Sequence, residues 1–223
     1  MILTAHQPCY LPWLGLFAKI AQADTFVLFD DVRYTPRSFE NRNKIWTSHG
    51  SQWLTVPVLH DRDTKIKDVQ INNNLTWQRK HWKSIEQSYH KAAYWEAMLE
   101  TEWYYRWPQT SLRSLTYQML RYFLEFLRIR VDILRASDYT FHGTKSDAII
   151  DMCQQLGAST YIFGGEGLYY ADVEAFEAAG IECRFQDYQH PVYSQFGSEF
   201  MSHLSIIDLL MHHGPHAREI LLT

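Results

Sequence analysis

The sequence predicts an α/β protein with a mainly parallel, doubly wound (Rossmann-like) sheet and a helical, aromatic-rich insertion or subdomain. Three observations lead to this fold class. Short apolar runs alternate with helical patterns, tryptophan and tyrosine concentrate in one helical region, and polar or glycine-rich segments follow several predicted strands. We expect a single domain over residues 1–223, with the helical subdomain at about 72–128.

The first part of the chain predicts two strands joined by a helix. Residues 2–5 form a short apolar run, and residues 12–22 carry apolar side chains at helical spacing. Residues 25–29 are apolar throughout, as in a parallel strand that is covered on both faces. A further strand is predicted at 53–58, with Pro57 near its end.

The middle of the chain, from about 75 to 128, predicts two or three long helices. Five of the eight tryptophans lie there, at Trp77, Trp82, Trp95, Trp103 and Trp107. A stripe of rings at helical spacing is more often core than a ligand-binding surface. We therefore expect these rings to pack in the interior.

The last part of the chain returns to alternating strands and helices. We expect strands at 131–134, 160–163 and 181–185, and helices at 144–156, 171–179 and about 203–212. Thr144 or Ser146 is expected to cap the helix at 144–156, and Gly157 is expected to end it.

Composition and charge argue against several functional classes. The chain has a net charge of −4 and no basic stripe, so we expect no nucleic-acid partner. Its three cysteines are unevenly spaced and form no Cys-x-x-Cys pair, which argues against a disulfide framework or a thiolate zinc site. We find no signal-peptide pattern and no apolar run of membrane-spanning length. We expect a cytoplasmic protein without membrane insertion.

Polar side chains follow the first two predicted strands. Ligands of doubly wound sheets bind beyond the carboxyl ends of the strands, near the point where the strand order reverses. His6 and Gln7 follow the first strand, and prolines restrict their loop. His6 can act as a general base or donate to a phosphate. The alternative is a ring satisfied by backbone groups, and we favour the functional interpretation.

Two carboxylates, Asp30 and Asp31, end the second predicted strand. At that position they can orient an amine, a ribose or a metal, but aspartate also caps turns well. We weigh these two interpretations equally.

Cations occur at two places that suit an anionic ligand. Arg42 offers a guanidinium fork for carboxylate or phosphate and is flanked by Asn41 and Asn43, with a solvated loop as the alternative. Lys19 is the only cation of the first helix, and it can either hold an anion or extend over the surface. We assign catalytic roles to His6, Lys19 and Arg42 together with the two strand-end aspartates.

A glycine-rich segment follows the strand predicted at 160–163. Gly164 and Gly165 would allow backbone amides to approach an anion or a sugar closely, with Glu166 beside them. The segment matches neither the phosphate-loop nor the dinucleotide fingerprint, and a plain glycine-rich turn is the alternative.

Further side chains are candidates for lining a binding cleft. Tyr10, Trp13 and Tyr193 can stack on a sugar or a base, and His190 and Gln195 can add polar contacts. The late histidines show no His-Glu-x-x-His pattern or other ligand spacing, so we expect no metal site.

The chain resembles the WbqC-like protein family. The resemblance extends in order from residue 6 to 214 and lies in the segments "HQPCYLPWLGLFAKIAQADTFVLFDDVRY", "SFENRNKI", "WLTVPV", "STYIFGGEGLYY" and "HPVYSQFGSEFMSHLSIIDLLMHHG". It implies a bacterial protein associated with the biosynthesis of cell-surface polysaccharide and O-antigen. The "MHHG" segment departs from the family pattern, so no role is carried over to His212 or His213.

A more distant similarity concerns the layout of the first strand, loop and helix. This layout is similar to the nucleotidylyltransferase and adenylate-forming ligase superfamily, in which a loop histidine stabilises the phosphates of ATP. Only His6 matches that histidine, because Trp13 to Gly15 stand near the place of the second one. The similarity implies ATP as a possible cofactor, and this departure argues against it.

These observations together predict an enzyme, a transferase or ligase acting on a nucleotide-activated sugar, with an amino sugar as one candidate. We expect a small-molecule substrate, a nucleotide sugar. Two alternatives remain open at this point: a non-catalytic protein that binds the glycan or nucleotide sugar in the same pathway, and an ATP-dependent amide ligase.

Overall fold

The computed structural model describes all 223 residues, from Met1 to Thr223. The chain forms two compact units: unit 1 contains residues 1–7, 18–31 and 129–189, and unit 2 contains residues 8–17, 32–128 and 190–223.

The elements in chain order are β1 (Ile2–His6), α1 (Leu14–Ile20), β2 (Thr25–Leu28), β3 (Arg42–Thr47), β4 (Gly50–Thr55), β5 (Val58–Leu59), β6 (Gln70–Ile71), α2 (Trp77–Tyr89), α3 (Trp103–Arg106), α4 (Leu112–Phe126), β7 (Asp132–Arg135), α5 (Ser146–Leu156), β8 (Thr160–Phe163), α6 (Val173–Ala178), β9 (Glu182–Phe185), α7 (Ile206–His213) and α8 (Ala217–Leu221). Short 3-10 helices lie at Ile66–Asp68, Glu96–Glu102, Ala136–Asp138, Gly165–Tyr169 and Gly214–His216. None of the helices combines the length and hydropathy needed to cross a membrane.

Unit 1 is built on a five-stranded sheet in which all neighbouring strands are parallel. The strand order is β7-β2-β1-β8-β9. The chain moves outward from β1 to β2 and β7, and then returns to the other side of β1 with β8 and β9. The strand order therefore reverses between β1 and β8, as in a doubly wound sheet. The predicted α/β, Rossmann-like fold class is confirmed.

One face of this sheet packs against α5 and α6. Leu3, Val27 and Phe163 from the strands join Met152 of α5 and Phe176 of α6 in one apolar cluster, and each of the five is at most 1% exposed. All four residues of β2 and of β8 are buried. Burial on both faces explains why these strands are apolar throughout instead of alternating.

The ends of several elements differ from the predicted ones. The predicted caps of α5, Thr144 and Ser146, are wrong: Lys145 precedes the helix with a φ of 52°, and no side chain caps it. The Ser146 hydroxyl instead accepts a hydrogen bond from the Asp172 backbone N–H at 3.0 Å. Gly157 ends α5 in the left-handed conformation with a φ of 72°, as predicted.

Two predicted helices are too long because side chains cap the chain further along. Asp172 accepts a hydrogen bond from the Ala175 N–H at 3.1 Å, so α6 begins at Val173 and not at 171. Ser205 accepts from the Ile207 N–H, so α7 begins at Ile206 and not at about 203.

Unit 2 contains the helices predicted between about 72 and 128. Helix α4 begins after Ser111, whose hydroxyl accepts a hydrogen bond from the Ser114 N–H at 3.3 Å. Leu112, Leu115, Met119 and Phe123 follow at spacings of three to four residues and are buried, which explains the apolar stripe of the sequence. The division into one domain with a helical subdomain stays a prediction.

The tryptophans of this region are only partly interior. Trp77 is 3% exposed, as expected for core packing. Trp82 and Trp95 stack with ring centroids 5.4 Å apart. The expectation of burial is wrong for Trp103 and Trp107, which are 50% and 56% exposed.

An antiparallel hairpin in unit 2 was not predicted. Strand β3 pairs with β4, and the predicted strand at 53–58 is wrong in its bounds, because β4 already begins at Gly50 and ends at Thr55. The solvated loop considered for the segment around Arg42 is also wrong. Asn43 and Ile45 are buried while Arg42 and Lys44 are partly exposed, which is the alternation of a strand with one covered face.

Two glycines of unit 1 give opposite expectations for an added methyl group. A Cβ at Gly167 would lie 2.5 Å from Phe163 Cβ, whereas a Cβ at Gly164 would meet nothing within 4 Å. Overpacking costs about 1–3 kcal/mol, so we expect Gly167→Ala to lower the Tm by several degrees. Gly164 has a φ of −70°, which any residue can adopt, so Gly164→Ala should melt like the wild type. Thermal unfolding followed by circular dichroism compares the two, and equal melting of both variants would contradict the packing.

Candidate functional site

The carboxyl ends of β1 and β8 lie side by side at the point where the strand order reverses. In the parallel register His6 pairs with Leu28, and Thr4 pairs with Ile162. His6 and Gly164 are therefore at the same level on neighbouring strands. This edge of unit 1 is where a doubly wound sheet binds its ligand, and we call it the switch-point edge.

The His6 ring is held in a defined tautomer. Its Nδ1 lies 2.9 Å from the Gln7 carbonyl oxygen, which can only accept, so Nδ1 carries the proton. Burial and the charge of Lys19 lower the pKa of His6 to about 4, against a smaller opposing effect of the Gln7 carbonyl. The ring is therefore neutral near pH 7, and its Nε2 carries a lone pair instead of a proton.

Lys19 is a buried cation close to His6. Only 5% of the residue is exposed, and its Nζ donates a hydrogen bond to the Ala5 carbonyl at 3.0 Å. The long side chain therefore turns back from α1 toward the end of β1, where its charge acts on His6. A positive charge at that place suits a phosphate or a carboxylate.

The two aspartates after β2 differ in their surroundings. Asp30 is fully buried and accepts hydrogen bonds from the backbone N–H of Ser137 at 2.9 Å and from its hydroxyl at 2.8 Å. Asp30 therefore fixes the turn that follows β7, in line with the capping interpretation. Asp31 is partly exposed, so of the two it is better placed to meet a ligand.

The glycine segment after β8 is open to solvent. Gly165 and Glu166 are exposed, and a Cβ at Gly165 would make only an ordinary contact of 3.6 Å with the Gln186 carbonyl. Neither Gly164 nor Gly165 has a positive φ. The fold therefore does not require glycine at these two positions, whereas close approach of a ligand would.

Three exposed side chains that follow this glycine segment were not predicted from the sequence. Leu168, Tyr169 and Tyr170 are 65%, 87% and 54% exposed. The signal was present in "GGEGLYY", where large apolar and aromatic side chains follow a glycine-rich segment. Exposed rings beside a glycine turn offer stacking partners for a base or a sugar.

Tyr10 does not present its ring for stacking on a ligand. It is fully buried in unit 2, and its hydroxyl is 2.8 Å from His81 Nδ1 and 2.9 Å from the Tyr105 hydroxyl. The two hydroxyls and the His81 ring therefore form a buried hydrogen-bonded chain within unit 2. The predicted stacking role of Tyr10 is therefore corrected to a place in this buried chain.

The two predicted asparagines brace the hairpin of unit 2. Asn43 is fully buried, and its amide donates to the Leu11 carbonyl at 2.6 Å. Asn41 is 5% exposed, and its amide donates to the Val56 carbonyl at 2.8 Å. Trp13 and Arg42 lie in the same unit and are partly exposed. A ligand contact of the asparagines stays a prediction.

The late polar residues hold their own segment together. Tyr193 and Gln195 donate hydrogen bonds to Oδ2 of the fully buried Asp208, at 3.0 and 2.6 Å, while Tyr89 donates to Oδ1 at 2.9 Å. His190 bonds the Pro191 carbonyl through Nδ1 and accepts from the His203 backbone through Nε2. The polar side-chain atoms of His190, Tyr193 and Gln195 thus have hydrogen-bond partners within the protein. A ligand-binding role for these three residues stays a prediction.

The predicted site residues thus fall into two groups. Unit 1 holds His6, Gln7, Lys19, Asp30, Asp31, Gly164, Gly165 and Glu166, all at or near the carboxyl ends of its strands. Unit 2 holds Tyr10, Trp13, Asn41, Arg42, Asn43, His190, Tyr193 and Gln195. No group of three or more His, Cys, Asp or Glu side chains is arranged to hold a metal ion.

Glu40 is a further residue that the sequence did not single out. It is 6% exposed and accepts a hydrogen bond from the Thr35 N–H at 3.0 Å. Burial raises the pKa of Glu40 to about 7, although hydrogen bonds from Thr35 and Ser38 oppose the shift. Shifted carboxylates of this kind are common at functional sites, but no sequence pattern distinguishes them.

Comparison with known proteins gives a consistent picture. A family model described as the WbqC-like protein family matches residues 7–220. An uncharacterized protein of Mycobacterium tuberculosis, Rv1507c, is 32% identical over 225 residues, which cover 96% of this chain and 95% of that protein. No solved structure matches the chain.

Asp208 and its three donors, Tyr89, Tyr193 and Gln195, form a buried cluster in which a single substitution is expected to cause a large loss of stability. Asp208→Ala would leave the Tyr89, Tyr193 and Gln195 donors without their acceptor in the interior. An unsatisfied buried donor costs about 1–3 kcal/mol, so we expect a loss of roughly 3 kcal/mol or more and a Tm lowered by about 6–12 °C. The exposed Glu199→Ala is the control, measured by the same thermal unfolding. Equal Tm values for the two variants would show that the cluster carries no stability.

Proposed function

The chain belongs to the WbqC-like protein family, and from that premise we propose that it is an enzyme of cell-surface polysaccharide (O-antigen) biosynthesis. In this proposal it is a transferase or ligase that acts on a nucleotide-activated sugar, with an amino sugar as one candidate. The substrate binds at the switch-point edge of unit 1. The observation that carries the proposal is that His6 and the Gly164–Gly165 turn end adjacent strands where the strand order reverses.

The tautomer of His6 supports one of its two predicted roles. With Nδ1 donating to the Gln7 carbonyl, Nε2 of the neutral ring can accept a proton but has none to give to a phosphate. His6 is therefore the proton acceptor in our proposal. The proton of the acceptor hydroxyl or amine passes to Nε2, the acceptor atom bonds to the sugar, and the nucleoside diphosphate leaves with the electron pair.

Lys19 holds the anionic part of the substrate in this proposal and also adjusts His6. Its charge is one of the causes that keep the pKa of His6 near 4 in the free protein. A diphosphate bound beside Lys19 would offset that charge, so the pKa of His6 would rise when substrate is bound. His6 would then be a stronger base in the complex than in the free protein, where a pKa near 4 makes it a weak one.

The glycine segment gives the substrate room. Because the fold leaves open space where the side chain of residue 164 would be, the backbone there can lie against a phosphate or a sugar ring. Asp31, which follows Asp30 at the end of β2, is the candidate for orienting the attacking hydroxyl or amine. Asp30 supports this edge by holding Ser137.

Two variants separate binding from chemistry. Nucleotide sugars that bind the native state raise its Tm, so a panel of UDP-, dTDP- and GDP-sugars identifies the ligand. We expect Gly164→Val to lose this stabilisation, because its side chain would fill the space of the ligand. We expect His6→Gln to keep it but to slow release of nucleoside diphosphate by roughly 10²–10⁴-fold, the usual contribution of a general base.

The controls make each outcome informative. Gly164→Val has to melt like the wild type in the absence of ligand for its loss of stabilisation to count. Full turnover of His6→Gln would contradict the role of His6, and unchanged binding by Gly164→Val would contradict the location. A protein that binds a nucleotide sugar through this edge and never turns it over would be a binding protein instead of an enzyme.

A further inference from the structure

Unit 2 carries a surface on which aromatic rings and cations lie together. Trp13 and Phe39 have ring centroids 5.2 Å apart, and Phe39 and Trp53 follow at 6.1 Å. The Arg42 guanidinium lies 4.4 Å, and the Lys44 ammonium 5.0 Å, from the centroid of Trp53. We call these five residues the aromatic–cation surface.

The hairpin register explains how this surface forms. Lys44 pairs directly with Trp53 across β3 and β4, and Arg42 lies two residues before Lys44 on the same face. The opposite face carries Asn43 and Leu54, which are buried. Phe39 and Trp53 are 45% and 41% exposed, so the rings are open to a partner.

The two cations have no anionic partner within the protein. Neither Arg42 nor Lys44 forms a salt bridge with any carboxylate of the chain. The Nε of Arg42 is also buried and lacks a hydrogen-bond acceptor. A guanidinium without a carboxylate partner keeps its forked N–H donors for an anionic group placed over the hairpin.

We propose that the aromatic–cation surface binds an acidic oligosaccharide. The row of three rings offers several apolar faces in succession, which suits consecutive sugar units better than the single base of a nucleotide. The unpaired Arg42 and Lys44 select a glycan that carries carboxylate or phosphate groups. A nucleic acid would need a basic stripe, whereas this chain has a net charge of −4.

The proposal goes beyond the reaction assigned to unit 1. That the glycan is the acceptor of the transferred sugar rests on the proposed function, but its binding to unit 2 does not. Binding is measured without turnover and with variants outside the switch-point edge. A failure of one proposal therefore leaves the other one intact.

The test is a calorimetric titration of the full chain with a galacturonic acid hexamer. A maltose-series hexamer serves as the neutral probe, and UDP and a single-stranded oligonucleotide serve as the other anionic probes. We expect the acidic hexamer to bind most tightly, and added salt to weaken it. Trp53→Ala should weaken this binding roughly tenfold or more, as expected from loss of a stacking ring.

Matched control variants distinguish this surface from the rest of the protein. Trp107→Ala removes another exposed tryptophan, and Arg121→Ala removes another cation over a ring, 6.0 Å from Tyr117. Both should bind the acidic hexamer like the wild type. Arg42→Gln and Lys44→Gln remove the positive charges but leave polar side chains on the same face of the hairpin. These variants should lose the preference for the acidic over the neutral hexamer.

Several results would overturn the proposal. These are absence of binding by the acidic hexamer, equal binding of the neutral hexamer, and equal weakening by Trp107→Ala and Trp53→Ala. Tighter, Trp53-dependent binding of UDP or of the oligonucleotide would assign the surface to a nucleotide or a nucleic acid instead.

Discussion

Strand β1 is hydrogen-bonded on both sides, to β2 and to β8, and the candidate active site depends on this position. The Thr4 hydroxyl donates to the Ile162 carbonyl at 2.7 Å, and the Asp24 carboxylate accepts from the Ile2 N–H at 2.7 Å. These contacts tie the first strand of the chain to both neighbours. Because β1 cannot shift without breaking two ladders, the residue at its end, His6, has a fixed place beside the glycine segment.

The electrostatics of unit 1 follow from the same position. Charging both His6 and Lys19 is unfavourable, because they lie close together in a poorly hydrated place. Burial and the charge of Lys19 therefore lower the pKa of His6. The Gln7 carbonyl then fixes which nitrogen carries the proton. A pair of this kind responds to an anion, because an anion beside Lys19 favours a proton on His6. The proposed binding and proton transfer are thus coupled through one charge.

The sequence was sufficient for the sheet of unit 1, and less so for unit 2. Buried parallel strands are short, continuous apolar runs, and the residues that end or follow them lie at the carboxyl edge of the sheet; His6, Asp31 and Gly164 were placed at that edge in this way. Strand β3 was missed because one of its buried positions is occupied by a polar residue, Asn43. The usual alternation of polar and apolar residues is therefore interrupted in the sequence. Tyr193 is buried because its hydroxyl donates to Asp208, which also accepts a hydrogen bond from Tyr89. Tyr89 and Asp208 are 119 positions apart in sequence, so no local pattern predicts this arrangement.

Amide hydrogen exchange shows whether the substrate binds at the switch-point edge of unit 1. Exchange is measured with and without the nucleotide sugar that stabilises the protein most. If the substrate binds there, exchange slows in peptides covering residues 4–9 and 163–170, which contain His6 and the glycine segment. Protection confined to other peptides, with these two unchanged, would contradict binding at this edge.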